Sequence, residues 1–206
     1  MQPIFETIRE TGVVPVIRLD DASRAAALAN ALKTGGLPVA EVTFRTAAAE
    51  ESIRRMCGEA PDVLVGAGTV VSAEQVDRAH GAGAKFVVSP GFSAQVVNRC
   101  QELGLPVIPG CVTPSEIMAA LSMGLTILKF FPAENYGGLK AIKALSPVFP
   151  QVRFIPTGGV NAENLAEYLN YPAIYACGGS WMVRPDLDET ANLCAKARNI
   201  VREAGR

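Results

Sequence analysis

The sequence predicts an α/β fold, a (β/α)8 TIM-type barrel with a short extra N-terminal helix. Three observations carry this prediction. Short runs rich in Val, Ile, Leu and Phe alternate eight times with amphipathic segments. The runs are apolar almost throughout, as in a parallel sheet covered by helices on its faces. The 206 residues suffice for one well-buried core but lie near the lower end for eight β-α units. We therefore read 1–206 as a single domain, with no linker, fixed-period repeat or low-complexity stretch. An open doubly wound sheet is the alternative. It is weakened because no G-x-G-x-x-G follows the first strand.

The elements follow in order. Residues 1–11 read as the extra helix. The strand runs are 13–19, 39–44, 64–69, 86–89, 107–111, 127–131, 153–157 and 174–177. The helical patterns between them are 22–34, 47–59, 73–81, 94–103, 114–122, 139–145, 162–169 and 187 onward. Asp21, Thr46, Ser72, Ser93, Thr113 and Asn161 stand where N-caps are needed. Glu116, three residues after Thr113, completes a capping box. Gly35, Gly81, Gly104 and Gly124 stand where helices stop.

Composition excludes several classes of function. The net charge is −1 and no basic run exists, so nucleic acid finds no electrostatic footprint. No apolar stretch reaches ~18 residues, which argues against a membrane span. The N-terminus lacks the basic region and apolar core of a signal peptide. The five cysteines are scattered, odd in number and without a C-x-x-C pair. They point to the reducing cytoplasm. The one histidine, His80, sits at a helix end before Gly81 and reads as a residue favoured by the helix dipole. With one histidine, a zinc site and a Ser-His-Asp triad both become poor explanations. No metal is expected. Proton transfer falls to carboxylates, lysine, tyrosine or water.

Two residues break the apolar pattern. Lys129 lies inside Thr126-Ile127-Leu128-Lys129-Phe130-Phe131-Pro132. Lysine is rarely fully buried, burial disfavours its ammonium form, and the neutral amine attacks ketones and aldehydes to form Schiff bases. Of the six lysines, only Lys129 has apolar neighbours on both sides. The second is Glu41, in the run 39–44. A buried carboxylate suits general acid-base work, while a structural ion pair with an arginine is the competing reading. Residues 41, 43 and 45 share one strand face, so Arg45 ends the same side. An arginine there can hold a carboxylate in a bidentate fork, or can simply be a surface residue.

In such a barrel the site lies at the C-terminal strand ends. There the sequence places Arg18, Val65-Gly66-Ala67-Gly68-Thr69, Ser89-Pro90-Gly91-Phe92 and Pro109-Gly110-Cys111. Gly158-Gly159 closes the seventh strand and Gly178-Gly179-Ser180 the eighth. Glycine pairs on the last two strands suit a phosphate held by backbone N–H groups, though either pair alone reads as a turn.

Seven segments together resemble the bacterial 2-keto-3-deoxy-6-phosphogluconate (KDPG) aldolases, many of which also cleave 4-hydroxy-2-oxoglutarate (KHG). They are Glu-Val-Thr-Phe-Arg-Thr (41–46), Val-Gly-Ala-Gly-Thr-Val (65–70), Ser-Pro-Gly-Phe (89–92), Pro-Gly-Cys-Val-Thr-Pro-Ser-Glu (109–116), Leu-Lys-Phe-Phe-Pro-Ala-Glu (128–134), Pro-Thr-Gly-Gly-Val (156–160) and Gly-Gly-Ser-Trp (178–181). They run collinearly over almost the whole chain.

The resemblance implies a class I aldolase, a homotrimer, with no cofactor beyond a covalent imine. It implies that Lys129 is the Schiff-base lysine and Glu41 the proton shuttle. Arg45 and Thr69 then hold the pyruvyl carboxylate, and Pro90 and Phe131 wall the pyruvyl carbons. Gly158, Gly159, Gly179 and Ser180 cradle the phosphate, with Thr157 near the substrate hydroxyls. Arg18 matches a basic position that only some members have. Three alternatives stand beside this reading. One is an aldolase for the galactonate epimer, one a non-catalytic phosphosugar-binding barrel, and one a metal-dependent aldolase.

Overall fold

Both faces of the strands are buried, and the alternation of side chains between those faces decides which ones meet inside the molecule. A computed structural model of the chain describes residues 3–206. It contains β1 (Val13–Ile17), β2 (Val39–Thr43), β3 (Leu64–Gly68), β4 (Val87–Val88), β5 (Val107–Ile108), β6 (Ile127–Phe130), β7 (Arg153–Pro156) and β8 (Cys177–Gly179). All of their pairings are parallel. Six strands form a curled sheet in the order β5-β4-β3-β2-β1-β8, and β6 pairs with β7. Isolated parallel bridges join this pair to the sheet on both sides: Gly110 with Lys129, Phe154 with Ile174, and Thr157 with Gly178.

Helices α2 (Ala25–Thr34), α3 (Ala49–Glu59), α4 (Ala73–Gly81), α5 (Ala94–Glu102), α6 (Pro114–Ser122), α7 (Gly138–Leu145), α8 (Leu165–Leu169) and α9 (Leu187–Glu203) follow the strands in turn. Their apolar faces and the outward residues of the strands form one large cluster, which takes Ala40 and Val42 from β2, Leu128 and Phe130 from β6, and Phe154 from β7. The rings of Phe130 and Phe154 meet edge to face, with centroids 6.1 Å apart. Such a contact contributes roughly 0.5–1.5 kcal/mol beyond area burial. A second, smaller cluster lies on the inner side and holds Val14, Val39, Phe86, Val88, Ile108 and Ile155. Helix α1 (Pro3–Thr11) precedes β1 and sends Ile8 into that inner cluster, fully buried. Met1 and Gln2 of the expected first helix lie outside the described residues.

Ser72, Ser93 and Thr113 cap α4, α5 and α6 as the sequence predicts, and Thr113 forms the capping box with Glu116. Asp21 caps a short 3-10 turn, Ala22–Arg24, before α2. Thr46 differs. Its hydroxyl donates to Leu19 O across the strand ends, and α3 starts at Ala49. At Gly35 and Gly81 the left-handed residue lies one and two positions later, at Gly36 (φ 81°) and Gly83 (φ 97°), because a short overwound turn intervenes.

The eighth strand also differs. The apolar run 174–177 signals burial, and those residues are buried. Hydropathy does not report pairing, however. Tyr175 N–H donates to Phe154 O on β7. The chain then crosses over, and only residues 177–179 pair with β1.

Candidate active site

On β6 the outward residues are Leu128 and Phe130, so the pleat turns Lys129 inward. On β2 the outward residues are Ala40 and Val42, which turns Glu41 and Thr43 inward. The two inward polar side chains meet. Lys129 Nζ donates to Glu41 Oε1 at 3.0 Å, although 88 residues separate them. Their side chains are only 6% and 5% exposed. Every other ion pair among the described residues has at least one partner more than a third exposed, so this pair is singular.

Below the pair lie Val14, Phe86, Val88, Ile108 and Ile155, around a void of only about 10 Å³. The floor is therefore packed and apolar. Burying two charges there is costly, and only their mutual contact offsets the cost. Gly68 makes room for the carboxylate, since a Cβ at that position would fall inside the Glu41 side chain. Lys129 Nζ also lies 5.2 Å from the centroid of the Phe131 ring. Phe131 is 38% exposed, so one side of the lysine is covered by an aromatic that also meets solvent.

Around this centre the predicted residues divide. Thr157, 5% exposed, lines the same small void as Lys129 and Glu41. Thr69, directly after β3, has φ 57° and is the one non-glycine residue in the left-handed region among the described residues. Such strain persists where the surroundings impose it, and it concentrates at functional sites. Pro90 is half-buried, and its carbonyl packs where a Cβ on Gly110 would stand. Gly158 (φ 95°) and Gly159 (φ 84°) both take left-handed backbone after β7. Gly179 is buried at the end of β8, and Ser180 is exposed just beyond it. The Trp181 ring lies over Gly179, with Nε1 buried and without a hydrogen-bond partner.

Two predicted residues are held by other partners. Arg18 is paired with Asp20 at 2.8 Å, and its side chain is 56% exposed. Arg45 is exposed, with Nε donating to the Thr43 hydroxyl at 3.1 Å. Neither contacts Lys129 or Glu41. Thr43 is a residue that motif reading missed. Its own hydroxyl donates to Ile17 O on β1 at 2.8 Å, so it ties Arg45 back to the sheet. The two-residue spacing from Glu41 was the available signal.

Cys111 follows β5, and its N–H donates to Lys129 O. Burial, aided by Glu116, pushes its thiol up to about 12. It is not poised as a nucleophile. Among the described residues no three His, Cys, Asp or Glu side chains cluster as metal ligands, and no helix is long and apolar enough to cross a membrane.

A family model for KDPG and KHG aldolase matches residues 4–197. A 2-dehydro-3-deoxy-phosphogluconate aldolase of Treponema pallidum is 50% identical over 89% of this chain and 87% of its own. Among solved structures, the KDPG aldolase of Zymomonas mobilis ZM4 with 3-phosphoglycerate superposes with a TM-score of 0.92, at 42% identity over 96% of each chain. The KDPG aldolase of Legionella pneumophila, with pyruvate captured as a covalent carbinolamine, gives 0.91 at 39% identity, over 95% of this chain and 98% of its own. With a family match that spans nearly the whole sequence and a buried lysine-carboxylate pair inside a parallel sheet, the chain belongs to the KDPG and KHG aldolase family.

Proposed function

We propose that this protein is a class I aldolase that cleaves 2-dehydro-3-deoxy-6-phosphogluconate to pyruvate and glyceraldehyde 3-phosphate, and 4-hydroxy-2-oxoglutarate to pyruvate and glyoxylate. The observation that carries the proposal is the buried 3.0 Å contact between Lys129 and Glu41. The contact sets an amine that can attack a carbonyl against a carboxylate that can take and return a proton.

The reaction runs as follows. Glu41 accepts the proton that Lys129 gives up. The neutral amine adds to the C2 ketone, Glu41 returns its proton to the departing hydroxyl, and loss of water gives an iminium. That cation draws in the electron pair released when the C3–C4 bond breaks. Glu41, through a water, takes the proton of the C4 hydroxyl as the aldehyde leaves. The resulting enamine is protonated at C3. Water then adds to the iminium and frees pyruvate and Lys129. The covalent imine stabilises the carbanion electronically, so the step needs no metal.

The surrounding residues take supporting roles. Arg45 and Thr69 hold the pyruvyl carboxylate, while Pro90 and Phe131 wall the pyruvyl carbons. Thr157 faces the substrate hydroxyls. Gly158, Gly159, Gly179 and Ser180 cradle the phosphate, and Arg18 is a substrate-binding residue at the first strand end. The positive φ values of Gly158 and Gly159 support this cradle, because they let backbone approach an anion closely.

On this reading the eight strands close into a (β/α)8 barrel, one domain over 1–206, with α1 across its bottom. The protein acts in the cytoplasm as a homotrimer.

The test is kcat/KM on the gluconate substrate, its galactonate epimer and 4-hydroxy-2-oxoglutarate. The gluconate substrate should be preferred. Equal or higher efficiency on the galactonate epimer would reassign the enzyme.

A further inference from the structure

Glu134 poses a problem that the aldol chemistry does not use. It opens the short 3-10 turn after β6 (Glu134–Tyr136), directly against the glycine loop after β7. A carboxylate repels a phosphate, so its place beside a phosphate cradle requires a reason. Its neighbours supply one. Tyr168 of α8 is 2% exposed, and its hydroxyl donates to Glu134 Oε1. Burial, with Glu134 second, raises the phenol's pKa, so it stays a donor.

The notch that holds this contact is cut by glycines. A Cβ at Gly159 would fall inside the Glu134 side chain. A Cβ at Gly138 would stand 2.9 Å from both Glu134 Oε1 and the Tyr168 hydroxyl. Backbone bonds fasten the same two loops. Ala133 N–H donates to Thr157 O at 2.8 Å, and Glu134 N–H to Gly158 O at 3.1 Å. From the other side, Asn164 Nδ2 donates to Gly159 O at 3.1 Å. The strand exit after the catalytic lysine and the glycine loop are thus one fastened unit.

We propose that Glu134 and Tyr168 are positioning residues for the phosphate cradle: their hydrogen bond holds the Gly158–Gly159 loop in its left-handed form, and so sets the preference for a phosphorylated substrate. This rests on the aldolase reading above. Neither residue touches the reacting carbons. A structural role alone would lower efficiency equally on all substrates.

The experiment compares kcat/KM for the phosphorylated substrate with that for 4-hydroxy-2-oxoglutarate, which carries no phosphate. Tyr168→Phe removes one oxygen and keeps the ring. Glu134→Ala removes the acceptor, and Glu134→Gln restores one without the charge. Loss of a hydrogen bond to a charged group corresponds to about a tenfold change. Tyr168→Phe and Glu134→Ala should lower the ratio of the two efficiencies by about tenfold, through KM of the phosphorylated substrate. Glu134→Gln should stay within about threefold of the unmodified protein.

Ser180→Asp, which puts a negative charge in the cradle itself, separates the two claims. If it lowers the ratio while Tyr168→Phe and Glu134→Ala do not, the positioning role is wrong and the cradle stands. If Ser180→Asp also leaves the ratio unchanged, both are wrong. Equal losses on both substrates, or a loss confined to kcat, overturn the positioning role.

Discussion

On the aldolase reading, the chemistry within β2 and β6 is carried by two side chains, whereas at the ends of β7 and β8 it is carried by backbone. Lys129 and Glu41 are charged groups on an apolar floor, and each is tolerated because the other is 3.0 Å away. Gly158, Gly159 and Gly179 contribute no side chain. They work by what they leave out, and each has neighbouring atoms where a Cβ would go. The two regions should therefore fail differently. The first is broken by removing atoms, the second by adding them.

The largest expected effect is in the first region. Lys129→Ala should lower kcat by ~10³-fold or more, since the nucleophile is lost. Glu41→Gln should lower kcat by roughly 10²–10⁴-fold, the range for a general acid-base group. It should nevertheless still form an imine with pyruvate. Steady-state kinetics beside imine trapping separates the two roles. A Glu41→Gln enzyme with unchanged kcat would leave Glu41 as a structural partner only.

The next effect belongs to the second region. Gly159→Ala adds a methyl where φ is 84° and where the Glu134 side chain lies. It should raise KM for the phosphorylated substrate by about tenfold, with a smaller change on 4-hydroxy-2-oxoglutarate. Equal changes on both substrates would place the glycine loop outside phosphate binding.

Between the two regions in kind, Thr43 holds Arg45 by one hydrogen bond. Thr43→Val keeps the volume and removes that bond, so KM should rise several-fold on every 2-keto acid substrate. An effect limited to phosphorylated substrates would contradict a carboxylate role for Arg45.

The smallest effect tests the apolar surroundings. Burial raises the thiol pKa of Cys57 only partway, offset by Lys85, whereas Cys100, Cys111 and Cys194 are pushed up to about 12. At pH 8 a thiol reagent should label Cys57 first, with little loss of activity. Rapid labelling of Cys111 would mean that the shell beside Lys129 is open.

The same contrast explains how much the sequence disclosed. Lys129 and Glu41 were legible because a charge in an apolar run is an anomaly at a single position. All eight strands were legible from apolar runs, but hydropathy could not place the end of the eighth, where Tyr175 bonds to β7 before the chain reaches β1. The glycine pairs were visible only as a pattern, since each alone resembles a turn. Glu134 and Tyr168 carried no local signal at all. They lie 34 residues apart, and only the packing of α8 beside the β6 exit brings them together. Arg18 was legible as a strand-end residue, but its surface pairing with Asp20 was not.

The central claim is that Lys129 forms the imine. Pyruvate and borohydride added to the intact protein, followed by whole-protein mass and peptide mapping, test it directly. The account predicts one reduced pyruvyl adduct per chain, on Lys129, and none in Lys129→Ala. The absence of an adduct, or an adduct on Lys33, Lys85, Lys140, Lys143 or Lys196, would contradict it.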